Sequence, residues 1–148
     1  MSAFEETRQT AQELHHFLSA TFEWRKRTKA EVTQELTALV LRWSETHPGW
    51  QALTESPSVA TTEIRSGIRH GRLDVAIDRL ASPKLVIEID SSNKQWSLEK
   101  LVAEAMTGAH AIWLRWGFPE LRLPVPEPVV LLFFDATKRT WLSRQRSL

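Results

Sequence analysis

The sequence predicts an α/β fold of the α+β type, with a mixed central sheet flanked by helices and preceded by an N-terminal helix. Two segments rich in β-branched residues, 72–77 and 85–90, have the length and composition of neighbouring strands. Helical apolar spacing precedes them and returns in residues 97–109. A strand, a helix and a further strand in succession predict a crossover with parallel strands. We expect roughly four or five strands, with the 28–46 and 97–109 helices on opposite faces.

Length and composition are typical of one soluble domain. The 148 residues are 42% hydrophobic and 25% charged, with a formal net charge of +1, so nucleic-acid binding would need a local basic patch. The absence of cysteine excludes disulfides, thiolate zinc sites and cysteine nucleophiles. No apolar run approaches the roughly 20 residues of a membrane span, and the acidic start of the chain is unlike a signal peptide. We expect a cytoplasmic protein without a membrane partner.

Two helices are predicted before the strands. Ser2-x-x-Glu5 and Thr28-x-x-Glu31 both have the form of a capping box, and the first helix is expected to extend over residues 1–27, closed by Arg25-Lys26-Arg27. Apolar stripes follow each cap: Phe4, Thr7, Ala11, Leu14, Leu18 and Phe22, then Val32, Leu36, Leu39, Val40 and Trp43. The first stripe fits packing on the protein's own core. It also fits a partner helix, which leaves a homodimer or larger complex open.

A hairpin and a helix are predicted around the two central strands. Residues 51–58, with Pro57, are typical of a loop, and residues 59–68 of a strand that turns at 69–71 into the 72–77 strand. After the 85–90 strand, Ser97 is expected to N-cap the next helix. The apolar stripe of that helix is Leu98, Leu101, Val102, Ala105, Met106 and Ala109, and it places Lys100 on the opposite side.

The C-terminal part completes the predicted domain, residues 1–148. Residues 28–117 form the core, and residues 118–128 are proline-rich and expected to be extended and irregular. Residues 129–134 are a continuous apolar run, expected to be a strand buried on both faces. The basic tail that follows, with Lys138, Arg139, Arg144 and Arg146, is typical of a disordered end or of a phosphate contact.

Three carboxylates are expected to converge on the sheet. Alternation along a strand puts Asp74 on one face with Ala76, and Glu88 with Asp90 on the face of Val86. If the two strands are neighbours, Asp74, Glu88 and Asp90 crowd together. Carboxylates this close repel one another unless a positive charge lies between them. A hard divalent cation, which prefers oxygen ligands, is the usual solution.

The order of elements and the positions of these acids resemble the core of the PD-(D/E)XK nuclease superfamily over roughly residues 28–117. In that superfamily the second core strand supplies an aspartate, and the third supplies an acid, a spacer residue and a lysine. Asp74 and Glu88 match the two acids. Glu35, on the flank of the second helix's apolar stripe, matches an additional glutamate that often comes from the first core helix. Asp90 occupies the lysine position, so the motif here is Glu-Ile-Asp.

The resemblance implies a metal-dependent nuclease, a restriction-endonuclease-like enzyme that hydrolyses DNA phosphodiester bonds. Asp74 and Glu88 would hold Mg²⁺ or Mn²⁺, and Asp90 would be a further ligand or would orient a water. Arg65 or Arg72 would neutralise the phosphate.

The role of the missing lysine falls on one of two neighbours. In the superfamily the lysine positions or deprotonates the attacking water and offsets charge on the phosphate. Lys94 lies in the loop after the strand, and Lys100 lies in the first turn of the next helix. The sequence does not distinguish between them.

A nuclease fold that has lost catalysis, and that binds nucleic acid or a protein partner, is the alternative function. Asp90 in the lysine position favours it. The chain also has seven tryptophans; Trp96 and Trp116 flank the proposed site and could stack on bases, whereas Trp43 and Trp113 are expected in the core. A hydrolase of another substrate with paired carboxylates, such as a glycosidase, has no recognisable pattern here.

Overall fold

The computed structural model describes residues 1–25, 27–117 and 123–136, and in these ranges the chain forms three helices and five strands. The helices are α1 (Ala3–Thr21), α2 (Lys29–Glu45) and α3 (Gln95–Met106). The strands are β1 (Gln51–Ile64), β2 (Gly67–Arg79), β3 (Ser82–Asp90), β4 (His110–Trp116) and β5 (Val130–Phe134). The predicted α+β class and order of elements are confirmed. No described helix has the length and apolar character needed to span a membrane.

The five strands form one mixed sheet in the order β1-β2-β3-β4-β5. β2 is antiparallel to both β1 and β3, whereas β4 is parallel to β3 and β5 is parallel to β4. The crossover through α3 therefore joins parallel strands, as predicted. It also places Glu88 beside Trp113 and Asp90 beside Arg115 in the β3–β4 register.

The helices cover both faces of the sheet. α1 and α2 pack on the face of Val75, Ile87 and Ile112, while α3 packs on the face of Ala76, Val86 and Trp113. The other main residues of the first core are Leu14, Leu18, Leu36, Val40, Trp43, Ile77 and Leu114. Those of the second core are Leu73, Leu98, Leu101 and Ala111. The predicted opposition of the second and third helices is confirmed. The stripe of α1 packs on the protein's own core, and the core positions predicted for Trp43 and Trp113 are correct.

Local capping signals set the starts of α1 and α2. The Ser2 hydroxyl accepts a bond from Glu5 N at 3.1 Å. At α2 both bonds of the capping box form, because Glu31 N donates to Thr28 Oγ1 at 3.1 Å and Thr28 N donates to Glu31 Oε1 at 3.0 Å. Each bond satisfies a backbone donor that has no partner within the helix.

The predicted extent of the first helix, residues 1–27, is wrong, because α1 ends at Thr21. Phe22 leaves the helix in an extended conformation and packs edge-on against Phe134, with 5.3 Å between ring centroids. Arg27 does not extend a solvated helix end; its guanidinium lies over the Phe22 ring at 4.7 Å and pairs with Glu35. Lys26 lies outside the described residues.

The prediction of a loop at 51–58 is also wrong. β1 begins at Gln51 and includes Pro57, which an edge strand tolerates because one side of it needs no ladder bonds. Its register with β2 shifts between Pro57 and Thr61. The hairpin turns at residues 65–66 rather than at 69–71, with Gly67 at a φ of 134°.

The C-terminal strand is buried on one face only. Val130, Leu132 and Phe134 face the core of α1 and α2, whereas Leu131 and Phe133 are 36% and 44% exposed. The predicted burial of both faces is wrong because α1 packs on one face of β5 and none of the described helices packs on the other. The predicted basic tail lies outside the described residues, as does part of the proline-rich segment.

Candidate active site: a carboxylate pair and a lysine

Two carboxylates meet where β2 and β3 separate. Backbone pairing of these strands ends at Val75 and Ile87. Beyond it, Asp74 N donates to Glu88 Oε2 and Ile89 N donates to Asp74 Oδ2, both at 2.7 Å. Each carboxylate therefore accepts an amide proton of the opposite strand and replaces a ladder bond. The two side chains are held by backbone on both sides, which is the predicted convergence of Asp74 and Glu88.

Burial makes this pair costly to ionise. Glu88 is 1% exposed, and burial together with the neighbouring Asp74 carboxylate raises the pKa of Glu88 to about 8. Burial also raises the pKa of Asp74, with Asp90 adding to the effect and the Ile89 N–H opposing it. The Glu88 carboxyl is hydrogen-bonded to that of Asp74, so the pair shares its protons and titrates as a unit.

Lys100 supplies the positive charge at the pair. Its ammonium contacts Glu88 Oε1 and donates to the Arg72 carbonyl oxygen at 2.6 Å, and its side chain is only 10% exposed. The charge of Lys100 lowers the pKa of both carboxyl groups, although less than burial raises them. The protein thus places a cation of its own where the sequence predicted a need for one.

The interpretation of the α3 pattern that put Lys100 on the solvent side is wrong. The buried face of α3 consists of Ser97, Leu98, Lys100, Leu101 and Glu104, while Met106, assigned to the stripe, is 84% exposed. The helix begins at Gln95, with Lys94 in the N-cap position and no side-chain cap bond, so Ser97 is not the cap. Ser97, Lys100 and Glu104 recur at steps of three and four and so share one face of the helix, but this spacing does not show that the face is buried.

A glycine gives Lys100 its path to the pair. The Lys100 stem crosses β2 at Gly71, where a Cβ would lie 3.0 Å from Lys100 Cδ and 3.2 Å from the Ala60 carbonyl oxygen. Any side chain here would displace the lysine or the edge strand. Gly71 is a position of this candidate site that the sequence pattern does not reveal, because glycine there fits an ordinary turn.

Asp90 and Lys94 lie beside the pair. Asp90 is 5% exposed, and its Oδ2 accepts a bond from Trp113 Nε1 at 2.8 Å. Lys94 Nζ is 3.8 Å from Asp90 Oδ1, on a side chain that is 66% exposed. Lys100, rather than Lys94, is therefore the lysine that contacts the carboxylate pair.

The structure does not bring Glu35 or Arg65 to the pair. Glu35 is on α2, which packs on the opposite face of the sheet, and it pairs with Arg27. Arg65 lies in the exposed β1–β2 turn. Arg72, by contrast, lines a polar cavity of about 300 Å³ next to Asp74, together with Arg69, His70, Trp96 and Lys100. Trp116 is 4% exposed and donates to Thr33 Oγ1 at 3.3 Å, so of the two flanking tryptophans only Trp96 reaches the cavity.

The oxygen donors of Asp74 and Glu88 are suited to a hard cation, but two carboxylates supply only part of its ligands. Within the described ranges, no three or more histidine, aspartate or glutamate residues form a group that could hold a metal by themselves. Mg²⁺, however, is usually bound by one or two carboxylates, with waters and substrate phosphates completing its shell. Asp74, half-buried and lining the cavity, offers such an incomplete site. The donor set therefore fits Mg²⁺ or Mn²⁺ only where solvent or substrate supplies the remaining ligands.

No protein-family model matches this chain, and none of the curated proteins matches it in sequence. Function is therefore inferred from the chemistry of the site. A buried carboxylate pair, a lysine fixed beside it and a cavity with arginine side chains suit a phosphorylated substrate. These groups also suit a reaction in whose transition state negative charge develops on an oxygen atom.

Proposed function

We propose that the protein is a metal-dependent nuclease that hydrolyses DNA phosphodiester bonds, with Asp74, Glu88 and Lys100 as its active centre. The observation that carries this proposal is the contact of the Lys100 ammonium with Glu88 beside Asp74. An acid from each of two adjacent strands and a lysine is the residue set of the PD-(D/E)XK superfamily. Here the lysine comes from α3, and Asp90 occupies the position in β3 at which the superfamily has its lysine.

The arrangement of elements supports the restriction-endonuclease-like core. The segment from α2 to β4 has the order helix, three antiparallel strands, helix and parallel strand. Asp74 is on the second of these strands and Glu88 on the third. The acids thus occupy the strands on which the superfamily carries them.

Asp74 and Glu88 would hold Mg²⁺ or Mn²⁺ through the oxygens not used by the Asp74 and Ile89 amides, and for Glu88 this is Oε1, which Lys100 also contacts. When bound, such an ion supplies Lewis-acid polarisation of the phosphodiester and a water of lowered pKa. The two amides keep both carboxylates in place, so little reorganisation is needed when substrate arrives.

Lys100 would act on the substrate from inside the site. An ammonium has three donors, and two of them are used by Glu88 and by the Arg72 carbonyl oxygen. The third is available for a phosphate oxygen or for the attacking water at the cavity. Arg72, whose backbone and side chain both border this space, would neutralise the phosphate.

Cleavage of labelled DNA in Mg²⁺ tests the proposal. Asp74→Asn, which preserves shape, should abolish cleavage, and Lys100→Ala should lower the rate by about 10²–10⁴, the usual cost of one positioned acid–base or electrostatic group. Lys94→Ala is the matched control and should change the rate by less than about threefold, because Lys94 does not contact the pair. Equal losses for the two lysine variants would overturn the assignment of Lys100.

A catalytically inactive module that binds nucleic acid or a protein partner is the second candidate, and one observation favours it. Both oxygens of Glu88 are engaged within the protein, one by Lys100 and one by Asp74 N. Such an ion pair can serve structure alone. If wild type binds single- or double-stranded DNA but cuts neither with Mg²⁺ or Mn²⁺, this candidate replaces the nuclease.

A further inference from the structure

The cavity beside Asp74 has a charge and shape of its own. It measures about 300 Å³, at the lower end of the roughly 300–1,000 Å³ common for ligand pockets. Arg69 and Arg72 are exposed at its wall, and Lys100 lies at its inner end. The chain as a whole has a formal charge of only +1. The lining also includes two carboxylates, Glu55 and Asp74, and Lys100 is paired with Glu88, so phosphate binding would fall to Arg69 and Arg72.

Trp96 adds an aromatic surface to that wall. Its ring is half-buried, with the Arg69 guanidinium 5.8 Å and Lys100 Nζ 6.0 Å from the ring centroid. A phosphate that pairs with Arg69 would therefore lie on the same wall of the cavity as an indole ring. Phosphate and base are joined by one sugar in a nucleotide, so the two groups can be engaged together.

We propose that this cavity binds one unpaired nucleotide, with its base against Trp96 and its phosphate between Arg69 and Arg72. The inference rests on the proposed function, since it places the next phosphodiester of the same strand at Asp74 and Lys100. The substrate class is single-stranded nucleic acid, or a strand end that has left its duplex. A base inside a duplex is covered on both faces by its neighbours and cannot reach the indole.

Fluorescence anisotropy with a labelled oligothymidylate, the same strand in a duplex, and oligouridylate tests this inference, with EDTA present so that nothing is cut. Wild type should bind oligothymidylate more tightly than the duplex. Trp96→Ala should weaken single-strand binding about 5- to 150-fold, the usual effect of losing one base stack, and Trp96→Phe should restore most of it. Equal affinity for oligouridylate assigns the site to either nucleic acid, and a weaker affinity assigns it to DNA.

Arginine variants separate this cavity from general electrostatics. Arg69→Ala with Arg72→Ala should weaken binding of the single strand and reduce its dependence on salt. Arg42→Ala is the control, because it removes a similar charge from the exposed side of α2 on the opposite face. The inference is overturned if Arg42→Ala weakens binding as much as the single changes Arg69→Ala and Arg72→Ala, or if Trp96→Ala leaves single-strand binding unchanged.

The two proposals fail separately. Binding that depends on Trp96, without cleavage by wild type in Mg²⁺, keeps the nucleotide site and removes the nuclease. Cleavage that depends on Asp74, with single-strand binding unchanged in Trp96→Ala, keeps the nuclease and removes the nucleotide site. Melting curves identify any variant that fails to fold, and Trp96→Leu, which keeps an apolar side chain but cannot stack on a base, then decides in place of Trp96→Ala.

Discussion

The Lys100 ammonium contacts Glu88 Oε1, although the two residues come from different elements and the apolar pattern of α3 places Lys100 toward solvent. The contact joins a lysine side chain that is 10% exposed to a glutamate side chain that is 1% exposed. Removing either charge from water is costly, and the contact of each group with the other offsets part of that cost.

Divalent cations should stabilise the wild-type protein. Binding to the folded state alone raises stability by mass action, by about 2.7 kcal/mol at a concentration of 100 times Kd. Asp74→Asn should abolish the rise in Tm, while Asp78→Asn, at an exposed position further along β2, should retain it. Thermal melts with Mg²⁺ and Mn²⁺ measure this. If millimolar Mg²⁺ or Mn²⁺ leaves the wild-type Tm unchanged, the protein does not bind the metal in the absence of DNA.

Stability without divalent cations should fall as pH rises from about 4.5 to about 8. The pKa of Glu88 is about 8 in the folded protein against 4.5 for an ordinary glutamate, so the folded state binds more protons between these values. Its contribution is fully present below pH 4.5 and is lost as pH rises through 8. Glu88→Gln cannot ionise, and its Tm should decline less over this range. Metal affinity should rise over the same range, because the carboxyl group must lose its proton to bind.

Gly71→Ala should act through Lys100. The new Cβ would lie 3.0 Å from Lys100 Cδ, so the lysine must shift, at a cost in stability of about 1–3 kcal/mol. The cleavage rate should fall toward that of Lys100→Ala. The double variant is the control, because it should cleave no more slowly than Lys100→Ala alone. Losses that multiply in the double variant would show that Gly71 acts independently of Lys100.

Glu104→Ala should destabilise the fold by about 3 kcal/mol. Glu104 is 0% exposed and accepts bonds from Val59 N at 2.8 Å and Ser58 Oγ at 3.1 Å, and Lys84 Nζ lies at 2.8 Å. The change leaves the buried donors of β1 without an acceptor. Chemical denaturation measures the loss.

Glu99→Ala is the matched control for Glu104→Ala. Glu99 is exposed on the same helix, so its removal should change stability by less than about 0.5 kcal/mol. Burial opposes ionisation of Glu104, but Lys84 and the two hydrogen bonds outweigh it and lower its pKa. Its stabilisation is therefore present above the unfolded pKa and lost as pH falls through the folded one, so the difference between wild type and Glu104→Ala should shrink in acid.

Much of the fold follows from local features of the sequence. The Thr28 and Glu31 cap, the apolar stripe of α2 and the alternation in β3 are properties of short segments, and each appears in the structure as predicted. In β2 the alternation fails at Leu73, which packs in the core of α3 rather than with Val75. Asp74 and Glu88 could be placed together for the same reason, since alternation and a short connection between antiparallel strands determine which side chains face each other. The strand that contains Pro57 could not be predicted in this way. Proline is excluded only from strands with neighbours on both sides, and the fold places β1 at an edge of the sheet.

The tertiary structure alone decided which lysine meets the carboxylates. By local pattern, Lys100 and Glu104 are polar residues on the solvent side of an amphipathic helix. In the fold they are buried, because Lys100 meets Glu88 from β3 and Glu104 meets Lys84, Ser58 and Val59 from two strands. Burial of a charge depends on a counter-charge or donor elsewhere in the chain, and no periodicity within one helix contains that information.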